Sequence, residues 1–260
     1  MPRFAANLTL LFNEVPFLDR FDAAGRAGFR AVEFVSPYDH PPEEVARAAR
    51  DAGVEVALFN LPPGDWARGD RGMACDPDRA AEFRDGLARA LAYAGVLSCP
   101  RLHAMAGIRP AGLPDEAARA AWMAAIRLAA RAVATEGRTL LVEGINTRDM
   151  PGYFLTGSRQ GFELIAEAGE PNLHYLYDVY HMQIMEGDLA RTIERRLPGI
   201  GHVQIADVPG RNEPGTGEVS FPFLLRLLDR LGYRGLVGCE YRPLAGTVAG
   251  LGWMKEFRDG

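Results

Sequence analysis

A single closed (β/α)8 barrel, the TIM barrel, is the fold this sequence predicts, and three observations predict it. Short apolar runs alternate with longer Ala-, Leu- and Arg-rich stretches at helical period. Eight such β-then-α units follow one another with no run out of order, as in a parallel sheet closed on itself. The 260 residues suit one such barrel, which runs to about 250 residues. One domain over 1–260 is therefore expected. An open doubly wound sheet would carry a Gly-x-Gly-x-x-Gly turn after its first strand. Here Leu-Phe-Asn-Glu-Val follows Leu10 instead.

The units read in order as follows. Phe4–Leu10 is the first strand, and Phe17–Ala27 a helix with Phe17, Leu18, Phe21 and Ala24 on one face, broken by Gly28. Phe29–Val35 is the second strand, followed by a helix over Pro42–Ala52 that opens on proline and closes at Gly53. Val54–Asn60 is the third strand, Leu61–Asp78 a long loop and Arg79–Val96 a helix. Arg101–Ala106 and Thr139–Ile145 are strands four and five, each followed by a helix, Pro114–Glu136 and Ser158–Ala168. Leu173–Asp178 is the sixth strand, with a helix over Ile184–Leu197 irregular at Gly187. Ile200–Ala206 and Leu236–Tyr241 are the last two strands, with helices over Phe221–Leu231 and from about Gly246 to Phe257.

Composition narrows the function. The net charge of −5 argues against a nucleic-acid groove or an anionic membrane surface as main partner. Lys255 is the one lysine, which sets Schiff-base chemistry aside. Cys75, Cys99 and Cys239 are widely spaced with no Cys-x-x-Cys, so reduced, buried thiols are expected. No signal-peptide pattern and no membrane-length apolar run are present, and a cytoplasmic protein is expected.

In such a barrel, functional residues stand where strands end and the following loops begin. The first four strand ends offer Asn7 and Thr9, Glu33, Asn60 and His103; the last four offer Glu143, Asp178, Gln204 and Glu240. The last four are 35, 26 and 36 residues apart, about one β/α unit each, and each lies in an apolar run. Three buried carboxylates close together repel one another, and a divalent cation resolves the repulsion. An all-oxygen set of Glu143, Asp178, Gln204 and Glu240 favours Mg2+ or Mn2+.

Loops add further candidates. His181, three residues after Asp178, can polarise a substrate oxygen or orient a ligand. Arg211 is the anion anchor of choice, its alternative being a loop salt bridge to Glu213 or Asp207. The loop from Pro62 to Gly72 is too long for a plain connection and suits a lid carrying Trp66 and Arg71. His174 and His202 begin their strands and read as structural residues at the end of the barrel opposite the site. Gly215–Gly217 shapes the turn before the Phe221 helix.

Phe-x-Ala-Asn-Leu at 4–8, Gly28–Phe34, Asn60-Leu-Pro-x-Gly-Asp-Trp66, Tyr177-Asp-Val-Tyr-His-Met-Gln183, His202–Asp207, Glu213-Pro-Gly-Thr-Gly-Glu218 and Gly238-Cys-Glu-Tyr241 together resemble the hydroxypyruvate isomerase family. That family is a branch of the xylose-isomerase-like barrels, and the resemblance spans essentially the whole chain. The third strand-end ligand, commonly histidine across the superfamily, is Gln204 here, as in this branch. Two departures stand out: Glu143-Gly-Ile-Asn146-Thr147 where Glu-Pro-Ile-Asn is usual, and Phe59 where histidine is common.

The resemblance implies interconversion of hydroxypyruvate and 2-hydroxy-3-oxopropanoate through an enediolate. It implies Glu143 and Glu240 as the acid–base pair, each also able to touch the metal, with Asp178 and Gln204 completing the ligands. His181, Arg211, Asn60 and Trp66 would hold the substrate, a small hydroxy-oxo acid. A 2-oxo-tetronate isomerase is the close alternative and a ketose 3-epimerase a more distant one. A phosphodiesterase of this fold would need a histidine-rich zinc cluster and a basic groove, and the five histidines and acidic charge speak against it. A non-catalytic barrel is set aside by the intact four-residue set. The oligomeric state is left open, a homo-oligomer included.

Overall fold

Eight strands pair side by side in chain order, and the last returns to the first, so the sheet closes on itself. They are β1 (Arg3–Asn7), β2 (Ala31–Phe34), β3 (Glu55–Asn60), β4 (Arg101–His103), β5 (Thr139–Glu143), β6 (Leu173–Asp178), β7 (Ile200–Ile205) and β8 (Leu236–Cys239), all parallel. The computed structural model describes residues 3–257, so the outermost residues of the expected 1–260 domain lie outside the described residues.

Among the described residues eight α-helices cover the barrel: α1 (Asp19–Arg26), α2 (Pro42–Asp51), α3 (Ala80–Leu97), α4 (Asp115–Ala134), α5 (Ser158–Ala168), α6 (Val179–Met185), α7 (Leu189–Arg196) and α8 (Phe221–Arg230). Each of the longer ones lays an apolar stripe on the strands. In α4 the stripe is Trp122, Ile126, Ala129, Ala130 and Val133, all buried. The strands are buried on both faces, which is why they read as continuous apolar runs. Inside the barrel, Ala5, Ala31, Ala57 and Leu236 form one small cluster and Leu58, Leu141 and Leu176 another. The barrel is therefore plugged below its polar end.

Sheet register sets that polar end. It places Asn7 beside Glu33, Asn60 beside His103, and Asp178 beside Gln204. No described helix is long and apolar enough to cross a membrane.

Several expected boundaries shift, each for a local reason. The helix expected over Ile184–Leu197 begins at Val179 and is split into α6 and α7. The Asp178 carboxylate accepts from the Tyr180 backbone N–H and caps α6 at once. The first strand stops at Asn7 because its side chain accepts from the Thr9 N–H and turns the chain. The fourth stops at His103, after which the chain bends to bridge Ala106 with Gly72. The final helix is a 3-10 segment over Ala249–Phe257. His202, expected at the far end of the barrel, is fully buried inside it, two residues below Gln204 on the same strand face.

Candidate active site

The strand ends open into one cavity of about 540 Å3. Glu143, Gln204, Glu240, His181, Arg211, Asn60 and Trp66 all line it. Asp178 lies against its wall, its Oδ2 3.5 Å from His181 Nε2 and 3.8 Å from Arg211 Nη2. The residues singled out from sequence thus come together, from β3, β5, β6 and β7, from the residue after β8, from α6 and from the segments that follow β3 and β7.

The acidic groups are held in a dry environment. Burial pushes the Glu143 carboxyl well above the usual carboxylate range, and the nearby Asp178 and Glu240 push it further. Burial raises Glu240 to about 8 and Asp178 to about 6, and in both cases Arg211 opposes the rise. Arg211 Nη2 donates to Glu240 Oε1 at 3.2 Å. The Arg211 guanidinium also faces the Tyr180 ring at 5.1 Å.

The loop bearing Arg211 is rigid, and one carboxylate makes it so. Asp207 accepts from the N–H groups of Val208, Gly215, Gly217 and Val219. Gly217 packs so closely on the Val208 carbonyl that a Cβ would lie 1.9 Å from its oxygen. Arg211 itself sits at φ +56°, a left-handed conformation that a non-glycine residue keeps only when its surroundings impose it. Neither Asp207 nor Glu213 pairs with the guanidinium, whose ionic contacts are Glu240 and Asp178.

Two imidazoles flank Glu143. The Asn146 side chain, oriented by accepting from the Asp149 N–H, donates its Nδ2 to His181 Nδ1 at 2.7 Å. The ring proton of His181 therefore sits on Nε2, which faces Glu143 Oε1 at 3.7 Å and Asp178 Oδ2 at 3.5 Å. Burial, with Arg211 adding to it, lowers the His181 pKa well below its ordinary value, so the ring is neutral. His103 Nδ1 lies 3.2 Å from Asn60 Oδ1, and its Nε2 lies 3.8 Å from Glu143 Oε2. Burial, then His202, lowers His103 to about 3.

The floor of the site was not readable from sequence. Glu33, fully buried, accepts from Asn7 Nδ2 at 3.0 Å and from Gln204 Nε2 at 2.7 Å through Oε1. Its Oε2 meets His202 Nε2 at 2.7 Å. Gly238 makes the room: a Cβ there would lie 2.4 Å from Glu33 Oε1. The strand-end position of Glu33 was visible in the sequence, but its partners 169 and 171 residues away were not.

The oxygen set suits a hard divalent cation. Glu143 Oε1, Asp178 Oδ2 and Gln204 Oε1 are buried with no hydrogen-bond partner among the described residues. Such orphaned oxygens are costly unless something binds them. One atom each from Glu143, Asp178 and His181 also lie within 4.8 Å of one another. The His181 tautomer, with its proton on the nitrogen facing this cluster, favours the all-oxygen set over a histidine ligand.

The two sequence departures have structural explanations. At Gly144 the backbone N–H donates to Tyr175 Oη at 3.0 Å, and a Cβ would lie 2.5 Å from that oxygen. A proline would lose the donor and collide. Phe59 is buried on the outer side of β3, stacked on Phe34 at 5.9 Å, away from the cavity.

The fold is a closed (β/α)8 barrel with its polar residues gathered at one end, and comparison with known proteins places it. The chain belongs to the xylose isomerase-like TIM barrel family, whose description matches residues 21–257. It is 53% identical to the 2-oxo-tetronate isomerase of Cupriavidus necator over 258 residues, 99% of each chain. It is 47% identical to the hydroxypyruvate isomerase of Escherichia coli, over 99% of this chain and 100% of that one. A crystal structure from Brucella melitensis, described as an AP endonuclease, family 2, superposes with TM-score 0.97 at 49% identity over all of both chains. The chain is an isomerase of the kind the first two names describe.

Proposed function

We propose that the protein interconverts hydroxypyruvate and 2-hydroxy-3-oxopropanoate by proton transfer between adjacent carbons. The observation that carries this reading is the pair of glutamates, Glu143 buried and Glu240 partly buried, on the wall of one cavity, with the His181 N–H beside Glu143. A carboxyl with a raised pKa can hold or accept a proton near neutral pH.

The roles divide by environment. Arg211 lies against Glu240 and favours its carboxylate form, whereas Glu143 has the neutral imidazoles of His103 and His181 on either side. Arg211 thus favours Glu240 as the carboxylate base and Glu143 as the acid. The carboxylate takes a proton from C3 of hydroxypyruvate. The acid returns a proton to C2, and the hydroxyl proton passes from the C3 oxygen to the C2 oxygen. His181 Nε2–H donates to the oxygen on which negative charge develops. Asn60 and Trp66 bound the space in which the substrate sits.

Glu143, Asp178, Gln204 and Glu240 would hold Mg2+ or Mn2+. When bound, such a cation supplies positive charge to the enediolate oxygens. The substrate is a small acid in a site on an acidic protein, with neither nucleic acid nor membrane as partner.

A four-carbon substrate, 2-oxo-tetronate, is the second reading. Kinship with the Cupriavidus protein favours it, and a cavity of about 540 Å3 has room for the extra carbon. The endonuclease name of the Brucella structure finds less support, because both cavity histidines spend Nδ1 on asparagine side chains.

The test is solvent-deuterium exchange followed by NMR on both acids, with and without Mg2+. Wild type should exchange and isomerise; Glu143→Gln and Glu240→Gln should each fold and do neither. Turnover retained in either variant overturns the two-glutamate mechanism.

A further inference from the structure

The cavity holds more cationic groups than the acid–base chemistry uses. Arg211 faces two carboxylates, donating to Glu240 at 3.2 Å and lying 3.8 Å from Asp178, while its Nε is buried without a hydrogen-bond partner among the described residues. Arg242 and Arg71 also line the cavity, and the Arg242 side chain is exposed. Arg71 is different. It is half-buried, and among the described residues it pairs with no carboxylate within ion-pair distance.

Its guanidinium is nonetheless fixed in place. Nη1 donates to the carbonyls of Trp66 at 3.1 Å and Asp70 at 2.6 Å. The guanidinium carbon lies 3.8 Å from the centre of the Trp66 ring. With Nη1 and one face so engaged, Nε and Nη2 remain as a parallel pair of donors, the arrangement a carboxylate accepts. The arginine enters binding already oriented, so little side-chain freedom remains to be lost.

The loop is built to hold this pair still. Asp65 accepts from the Ala67 and Arg68 N–H groups, and Asp70 accepts from the Asp65 N–H while pairing with Arg79 at 2.8 Å. Gly72, next to Arg71, takes φ +98° and bridges to Ala106; a Cβ there would lie 2.4 Å from the Met105 carbonyl oxygen. Only glycine lets the loop lie this close to the end of β4. Trp66, 44% exposed, is a large ring kept at the surface of a braced loop. As a platform for Arg71 its exposure has a purpose.

We propose that Arg71, seated on Trp66, receives the carboxylate of the substrate and so selects hydroxy-oxo acids over uncharged hydroxy-ketones of the same length. The assignment rests on the isomerase reading above, and it leaves Arg211 to tune Glu240 and Asp178.

The experiment compares wild type, Arg71→Met and Arg71→Lys on hydroxypyruvate and on dihydroxyacetone, in which a hydroxymethyl group replaces the carboxylate. Arg71→Met should raise KM for hydroxypyruvate on the order of 100-fold with kcat within a few-fold, the loss of a charged bidentate contact. It should leave the dihydroxyacetone parameters unchanged, and Arg71→Lys should fall between. A KM within two-fold of wild type, or an equal loss on both substrates, overturns the assignment. Calorimetric titration with D-glycerate, a non-isomerising hydroxy acid, separates the two failures. If wild type isomerises nothing, the isomerase reading falls, while at least ten-fold weaker D-glycerate binding by Arg71→Met still upholds the carboxylate contact. Equal binding by both proteins overturns it.

Discussion

Glu33 Oε1 accepts from Gln204 Nε2 at 2.7 Å, and this contact decides which end of the Gln204 carboxamide faces the cavity. With the nitrogen held below, Gln204 Oε1 is presented upward without a hydrogen-bond partner among the described residues. A carboxylate can only accept, so Glu33 enforces that orientation. Glu33→Gln removes the constraint at nearly constant shape. Mn2+ affinity, read by electron paramagnetic resonance, should weaken by about ten-fold or more, as when a partner that orients a ligand is lost. Gly238→Ala should weaken it too, since its Cβ would displace Glu33. Unchanged affinity in Glu33→Gln would remove Gln204 from the ligand set or Glu33 from its support.

The buried carboxyls link stability to pH. Asp178 rises from 3.8 to about 6 and Glu240 from 4.5 to about 8 on folding, burial being the main cause of each. A carboxyl whose folded pKa is raised adds stability that is fully present below its unfolded pKa and is lost as pH rises through the folded value. Cation-free protein should therefore melt at progressively lower temperature between about pH 4.5 and 8. A divalent cation offsets the charge that accumulates over that window. Its Tm increment should be larger at pH 8 than at pH 5, by several degrees at roughly 2–4 °C per kcal/mol. An increment independent of pH in scanning calorimetry would show that these carboxylates are not where the cation binds.

Asn146 fixes the proton of His181. Asn146→Asp replaces the Nδ2 donor with an acceptor and draws a proton onto Nδ1, reversing the donor relationship at 2.7 Å. The 15N shifts should show Nδ1 protonated and Nε2 no longer so, the opposite neutral tautomer. Isomerisation should slow by about 10²-fold, as when one donor to a developing oxyanion is disturbed. A normal rate with the altered ring would mean that the Nε2 proton does not matter to the chemistry.

Much of this site was legible because the barrel makes it so. Strands buried on both faces read as apolar runs, and a polar residue at or near the end of each run stands out, as Glu143, Asp178 and Gln204 do. Position along β7 suggests the far end of the barrel for His202, but the alternation of side chains across the strand decides where it points. Period two puts His202 and Gln204 on one face, so the histidine points inside with the ligand above it. Helix α6 was missed because Val179, Tyr180, His181 and Met182 are all buried, leaving no amphipathic period to see. The Glu33–Gln204 contact and the Trp66–Arg71 stack depend on how the chain comes together in space, and no local pattern announces either.

Gly144 tests whether a departure from the usual family sequence is compensated within this chain. Its N–H donates to Tyr175 Oη, and added atoms would meet that oxygen at 2.5 Å and the Gly157 nitrogen at 2.9 Å. Gly144→Ala should destabilise the protein by about 1–3 kcal/mol, the range for overpacking a closed interior. The adjacent Glu143 would shift with the backbone, so activity should fall along with Tm. Tyr175→Phe removes the colliding oxygen, and its own cost is the lost hydrogen bonds to Gly144 and Met182. Combined with Gly144→Ala it should recover part of the stability, because the two substitutions share one contact and their effects are not additive. Denaturant unfolding of the four proteins in the cycle measures the coupling. Strict additivity would mean that the Tyr175 hydroxyl is not what keeps residue 144 a glycine.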